Sequence, residues 1–240
     1  MPRFYAPAAQ WSEDRVWLEE TEGRHAVEVL RLKAGDAVSV FDGAGRVASA
    51  RLIVAGKRRV EAGIVDVMQC PAPAGRTTLV QALPKGKLFE WILEKAVELG
   101  VSRVVPLLTE RTVVHLDGAE REKKREKWER VVIEACKQCG QNWMPEVALP
   151  VTLPVFLREP AAPSSIVASL HPGALPLKGT LPATLGGDAL ILVGPEGDFT
   201  PEEMERMVEW GARPVTLGEI VLRVETAAML CMSVIGHLRS

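Results

Sequence analysis

No stretch of this sequence stays apolar for the roughly 20 residues that a bilayer-spanning helix needs. Its opening, MPRFYAPAAQW, has neither the charged lead nor the apolar run of a signal peptide. Four cysteines in 240 residues are too few for a disulfide framework, so a cytosolic, cytoplasmic location is expected. The four histidines, at 25, 115, 171 and 237, form no H-E-x-x-H or other local metal signature, and no metal is expected. Excess charge is missing too. Twenty-nine Lys and Arg stand against 31 Asp and Glu, a net charge of −2, which excludes indiscriminate nucleic-acid binding. Any RNA contact would have to come from local basic patches. No internal repeat or low-complexity tract is present. What remains is an ordinary globular composition, 47% apolar and 25% charged, with enough chain for a sizeable core.

Cys136 and Cys139 form a lone C-x-x-C without the second pair that structural zinc usually requires. Helical spacing sets both beside Trp128, Val132 and Ala135, which favours two core cysteines over redox or metal duty.

The chain reads as α/β in two parts. Ala37 to Phe41, Val47 to Val54 and Val60 to Val67 are short valine-rich strands with the turn Asp42-Gly43-Ala44-Gly45 between the first two. A small β-barrel or sandwich over residues 1–72 is expected, with a short helix at about His25 to Leu32. CPAPAG at 70–75 is a stiff, non-helical connection and marks the boundary of a second domain, 73–240. There strand and helix signals alternate. Strands are expected at 78–83, 103–108, 166–170, 189–193 and 214–217, and helices at 87–99, 119–139 and 225–238. Pro106 suggests that 103–108 is an edge strand or carries a bulge. Alternating βα units imply a mostly parallel sheet covered by helices.

Two glycine motifs compete with that reading and lose. Gly43 to Ala48 fits G-x-G-x-x-A, but VASARLIV follows where a dinucleotide site needs a helix, so a hairpin turn is favoured. Pro84-Lys85-Gly86-Lys87 is not a Walker loop, yet it is a compact cationic turn at a strand end.

LVGPEGDFTPEE at 192–203 is more informative. Thr200-Pro201-Glu202-Glu203 is a helix start with a capping box, so Gly-Pro-Glu-Gly sits between a strand and a well-capped helix. Glycines there let a ligand approach the main chain. The neighbouring carboxylates argue against a bare phosphate. LGEIVLRVETAAMLCMSVIGHL is the second such bend, and its helix, apolar from Ala227 to Ile235 except for Ser233, calls for cover by a neighbouring subunit.

These paired motifs, GPEGDFTPEE and LGEIVLRVETAA, resemble those of the SPOUT RNA methyltransferases, and most of all the bacterial 16S rRNA (uracil-N3) methyltransferases of the small ribosomal subunit. RHAVEVLRLKAGD, QALPKGKLFEWILEKAVELGV, TERTVV and EACKQCGQN match in order, so the resemblance spans nearly the whole chain. It implies a PUA-like RNA-binding β-barrel, a trefoil-knotted methyltransferase domain, a homodimer and S-adenosyl-L-methionine as methyl donor. By position, the donor pocket would draw on Leu170 and His171; Gly194, Pro195, Glu196 and Gly197; Leu217 and Gly218; and Ile220, Val221 and Leu222, with Thr226 and Ala227 beyond. Glu219, Ile220, Val224 and Gln141 depart from the family pattern and remove two cations.

The resemblance also assigns roles. Arg223 would stabilise negative charge on the uracil carbonyls, and Glu225 would orient Arg223 or accept the N3 proton. Arg3 would reach the same site. Arg24, Arg31, Lys33, Lys57, Arg58, Arg59, Lys85, Lys87 and Asn142 would contact RNA. Residues 1–72 carry ten basic and ten acidic side chains, which suits recognition of a folded 16S rRNA target by shape. Another SPOUT methylation, at ribose 2′-O or a base N1, and a non-catalytic RNA-binding or assembly role both stay open.

Overall fold

The computed structural model describes residues 1–56, 59–114 and 116–239. Lys57 and Arg58, two of the cations expected to contact RNA, lie outside the described residues, as does the side chain of Arg59. The chain divides into two compact units, Met1–Ala72 with Cys136–Met144, and Pro73–Ala135 with Pro145–Ser240.

In the first unit, five strands form one sheet. They are β1 (Arg3–Tyr5), β2 (Arg15–Leu18), β3 (Ala37–Phe41), β4 (Arg46–Gly56) and β5 (Arg59–Gln69), in the order β1-β3-β4-β5-β2. The β3–β4 connection is a hairpin whose Gly43 and Gly45 have φ of +79° and +88°, where a left-handed backbone requires them. Val38, Val40, Ala48, Ala50, Leu52 and Ala62 alternate inward and close over Phe4 and Val16. The expected barrel stays open, with β1 and β2 as edges. Tyr5 on the β1 edge gives its N–H to a Glu22 carboxylate oxygen at 3.3 Å rather than to a further strand. Glu22 belongs to α1 (Glu20–Arg24), which runs on as a π-helical turn, His25–Val29. That helix starts five residues before the expected one and stops short of Leu32, because Arg31 adopts a left-handed backbone, φ 56°.

The stretch Cys136–Met144 is held into this unit by several bonds. Trp143 lies so close over Gly45 that a Cβ there would come within 2.6 Å of its ring. Gly45 N donates to Asn142 O, and Met144 N to Gly43 O. Lys137 pairs with Glu22 at 2.9 Å, both nearly out of water. Of the two C-x-x-C thiols only Cys136 is core; Cys139 is exposed, because it falls where α3 (Gly118–Cys139) ends. Burial pushes the Cys136 thiol up to about 12, which makes it inert at neutral pH.

The second unit is built on an eight-stranded sheet whose pairings are all parallel. Its strands are β6 (Thr77–Ala82), β7 (Arg103–Leu108), β8 (Glu146–Val147), β9 (Val151–Thr152), β10 (Ser164–Ala168), β11 (Leu175–Pro176), β12 (Ala189–Val193) and β13 (Arg213–Thr216). The order is β11-β13-β10-β12-β6-β7-β8, with β9 also on β7. β10 and β12 are buried at every residue, which explains the unbroken apolar run of β12 and the apolar Ile166 to Ala168 that follow two buried serines in β10. α4 (Leu153–Phe156) and α5 (Pro201–Trp210) cover one face through Phe156, Met204 and Met207. α2 (Leu88–Glu98) and α6 (Val224–Arg239) pack against each other, and α6 packs on β6 and β12. β7 is not an edge, which removes the first of the two readings of Pro106. β8 pairs with it at Arg103 and Val104 and β9 at Leu107 and Leu108, so Pro106, with no N–H to give, falls in the gap between them.

Two stability predictions follow from these contacts. Lys137→Ala leaves the buried Glu22 carboxylate without its cation and should cost about 3–5 kcal/mol in chemical denaturation, far more than replacing both partners by apolar residues. Arg103 holds Glu159 with two hydrogen bonds, 2.5 and 3.0 Å, and these keep the Glu159 carboxyl below its usual range. A depressed carboxylate adds stability above its unfolded pKa and loses it as pH falls through the folded value. Glu159→Gln should therefore melt below the parent at neutral pH, the gap closing below about pH 4.

Candidate functional site

Because the strands run parallel, the loops that follow β6, β10, β12 and β13 all leave from one edge of the sheet, the edge where open α/β sheets bind ligands. They enclose a cavity of about 560 Å³, lined by Leu88 of α2, Ser169 and Leu170, Val193 to Asp198, Thr216 to Gly218, and Ile220 to Glu225 with Ala227. That is within the roughly 300–1,000 Å³ of small-molecule sites.

The bend after β12 is the centre of the site; two of its own carboxylates reach out to neighbouring loops, and Arg111 grips it from outside. Glu196 Oε1 accepts the N–H of Lys85 in the β6 loop at 3.2 Å. Asp198 Oδ2 accepts the N–H of Leu170 in the β10 loop at 3.3 Å. Arg111, in the connection after β7, donates to Gly197 O at 2.5 Å and to Phe199 O at 3.4 Å. Beyond the bend, α5 begins with the capping box expected at Thr200 and Glu203, with Pro201 in its first turn, and Gly211 ends it at φ 113°. Glu203 is buried and does a second job: its Oε1 accepts the Glu110 N–H at 3.0 Å while Oε2 accepts that of Thr200 at 3.1 Å. The carboxylates at the bend thus hold strand-end loops together as well as charging the cavity wall.

Gly194 is needed for close packing. A Cβ there would stand 3.2 Å from Asp198 Oδ1 and from the Phe199 ring. Gly218 adopts φ +137°, which turns the β13 loop toward Arg223 and the start of α6. At the rim Leu170, Ile220 and Val221 are 61, 75 and 72% exposed, apolar side chains left open to water around a hollow. Glu196, Asp198 and Glu225 outnumber Arg223 on the lining, so a cation or a hydroxyl-bearing ligand suits the wall better than a phosphate.

Of the residues expected at a donor pocket, Leu170, Gly194 to Gly197, Leu217, Gly218, Ile220 to Leu222 and Ala227 line the cavity, as do Arg223 and Glu225. His171 and Thr226 are not on the lining. His171 Nδ1 instead accepts the Gly173 N–H. Arg3 donates to Asn142 Oδ1 at 2.6 Å and Gln141 O at 3.0 Å within the first unit, and Asn142 also donates to Cys70 Sγ. Arg24, Arg31, Lys33, Lys85 and Lys87 are exposed. The sequence reading missed Asp198, Ser169 and Leu88 as lining residues, and Arg111 as a clamp. Asp198 stood inside the motif and carried a signal: acids tolerate a left-handed turn next to glycine better than most residues.

Known proteins resemble this chain over nearly its whole length. Residues 71–236 match the model of an RNA methyltransferase domain, and residues 18–65 that of an RNA methyltransferase PUA domain. The chain belongs to the RNA methyltransferase family. Within the family, it is 34% identical to the ribosomal RNA small subunit methyltransferase E of Synechocystis, covering 98% of this chain and 77% of that one. The Bacillus subtilis protein of the same name is 30% identical over 90% and 87% of the two chains. A Neisseria gonorrhoeae methyltransferase E, solved with S-adenosyl methionine bound, superposes with a TM-score of 0.88 at 32% identity, covering 100% and 98%. A putative methyltransferase from Legionella pneumophila, solved with bound SAM, gives 0.89 at 32% identity, covering 98% and 96%. Among the described residues no group of three or more metal-binding side chains and no membrane-spanning helix is found.

The double use of Glu203 is open to test. Glu203→Ala leaves the buried Thr200 N–H and the part-buried Glu110 N–H without the carboxylate, which should cost about 1–3 kcal/mol in denaturation and speed exchange of the Glu110 amide. Unchanged exchange at Glu110 would show that the carboxylate does not anchor that loop.

Proposed function

We propose that this RNA methyltransferase transfers a methyl group from S-adenosyl-L-methionine to N3 of a uridine in the 16S rRNA of the small ribosomal subunit. The observation that carries the reading is the cavity itself, walled by the main chain of two glycine-marked bends and opening beside Arg223 and Glu225. The cavity fits such a donor. Peptide groups of Gly194 to Gly197 and of Leu217 to Leu222 offer hydrogen bonds to adenine and ribose, the apolar rim can cover the purine, and the acidic wall suits a sulfonium and an amine.

When bound, the donor supplies an electrophilic methyl on a positively charged sulfur. The chain's own work is positioning and charge control. Uracil N3 is a poor nucleophile until its proton leaves, and its flanking carbonyls gain negative charge as that happens. Arg223 is the group to stabilise that charge. Glu225, in the first turn of α6, accepts the proton directly or through water, or else orients Arg223. An arginine stays protonated and cannot be the base. The Watson–Crick edge of uracil is hidden in a duplex, so the nucleotide must be unpaired or flipped out. Arg24, Arg31 and Lys33, with Lys85 and Lys87, are described cations offered to the RNA backbone together with Asn142, and Arg3 is assigned to the catalytic site beside Arg223 and Glu225.

The finer parts of the reading are a trefoil knot in the second unit, a homodimer and a cytoplasmic location. Leu230, exposed on α6, and the half-buried Met229 and Val234 support cover by a second copy.

Arg223→Ala should lower methylation of small subunits lacking the modification by at least about 100-fold, while donor affinity by calorimetry stays within about twofold. Equal activity would remove Arg223 from the mechanism. Base mapping of the product distinguishes N3 from ribose or N1 methylation, and wild-type protein that binds no donor would point to a non-catalytic RNA-binding role.

A further inference from the structure

We propose that Asp198 is a positioning residue of the donor pocket, spanning the gap between the loops after β10 and β12; the inference rests on the proposed function. The ladder between these strands ends at Ala168 opposite Val193, so past that point no strand pairing keeps the two loops in register. Asp198 supplies the link. One carboxylate oxygen takes the Leu170 N–H at 3.3 Å and the other takes its neighbour Phe199's N–H at 2.8 Å. Its own N–H closes the turn onto Pro195 O at 2.9 Å.

The backbone shows what this arrangement costs. Asp198 has φ 59°, one of two non-glycine residues in the left-handed region among those described. Glycine would take that conformation without strain. A strained aspartate at such a turn is explained by what glycine lacks, a carboxylate able to accept from two loops at once. Leu170, whose peptide it holds, is also one of the three apolar side chains at the rim, so the bond sets both the width of the cavity and the place of part of its wall. Glu196 makes the matching link on the other side, to the β6 loop at Lys85, where the β6–β12 ladder has ended at Gln81 opposite Val193. The bend is tied to both neighbours by successive acids, and Asp198 is the one whose partner borders the cavity.

Asp198→Gly keeps the turn and deletes the carboxylate, whereas Asp198→Asn tolerates the same backbone and keeps one acceptor oxygen. Donor affinity is measured by calorimetry, together with KM for donor and for RNA, kcat and melting temperature. The glycine variant should bind and use donor about tenfold less well, with kcat and the KM for RNA within about twofold, and asparagine should restore part of the loss. A glycine variant with wild-type donor affinity, or one whose donor and RNA constants worsen together as its melting temperature falls, would overturn the inference. Wild-type protein that binds no donor would end the functional reading and this inference with it. Donor binding by wild type and glycine variant alike would end the inference alone.

Discussion

Parallel pairing of β13, β10, β12 and β6 is the constraint from which the site follows. Four strands running the same way must all end at one edge, so four connecting loops meet there although they are far apart in sequence. Such loops have no ladder to hold them once the strands stop. The chain answers with side chains that reach sideways to main-chain groups: Glu196 to Lys85, Asp198 to Leu170, Arg111 to Gly197 and Glu203 to Glu110. Each is charged and accepts from or donates to a peptide group, the stronger class of hydrogen bond. The peptide groups facing the cavity are thereby placed before any ligand arrives, which lowers the cost of binding.

The same device appears in the first unit for a different purpose. Glu22 caps the free edge of β1 and receives Lys137, so one carboxylate occupies that edge and holds the returning segment Cys136–Met144. Arg3 and Asn142, assigned to catalysis and RNA from sequence resemblance, are hydrogen-bonded to one another there. An arginine engaged in that way also fixes the segment it touches.

Much of the architecture was legible. Valine-rich runs mark β3 to β5 because a pleated, half-buried surface selects them, and the T-P-E-E start of α5 is local chemistry that needs no tertiary partner. The unbroken apolar run of β12 announces a strand covered on both faces. The errors arose where neighbours decide. Pro106 signals an edge only if the adjacent strand is continuous, and here that neighbour is two short strands with a gap. Cys139 has the spacing of a core residue, yet its helix ends beneath it. Arg31 ends its helix through a backbone conformation that its side chain does not advertise. At the site, glycines marked the bends because close approach leaves its trace in residue type, and Asp198 carried the fainter mark of an acid that tolerates a left-handed turn; the clamp Arg111 left none, since a charged residue near a loop reads as a solvated surface.

The amino-acid sequence by itself determined the longer strands and helices and their order, the two bends of the β12 and β13 loops, and the family, because periodicity, capping and long motifs are local properties of the chain. Only the tertiary structure decided that the first sheet stays open, which carboxylates hold loops together, and that a single cavity of about 560 Å³ gathers both bends beside Arg223. Those facts depend on which strands lie side by side, and strand adjacency is set by non-local packing that no single stretch of sequence encodes.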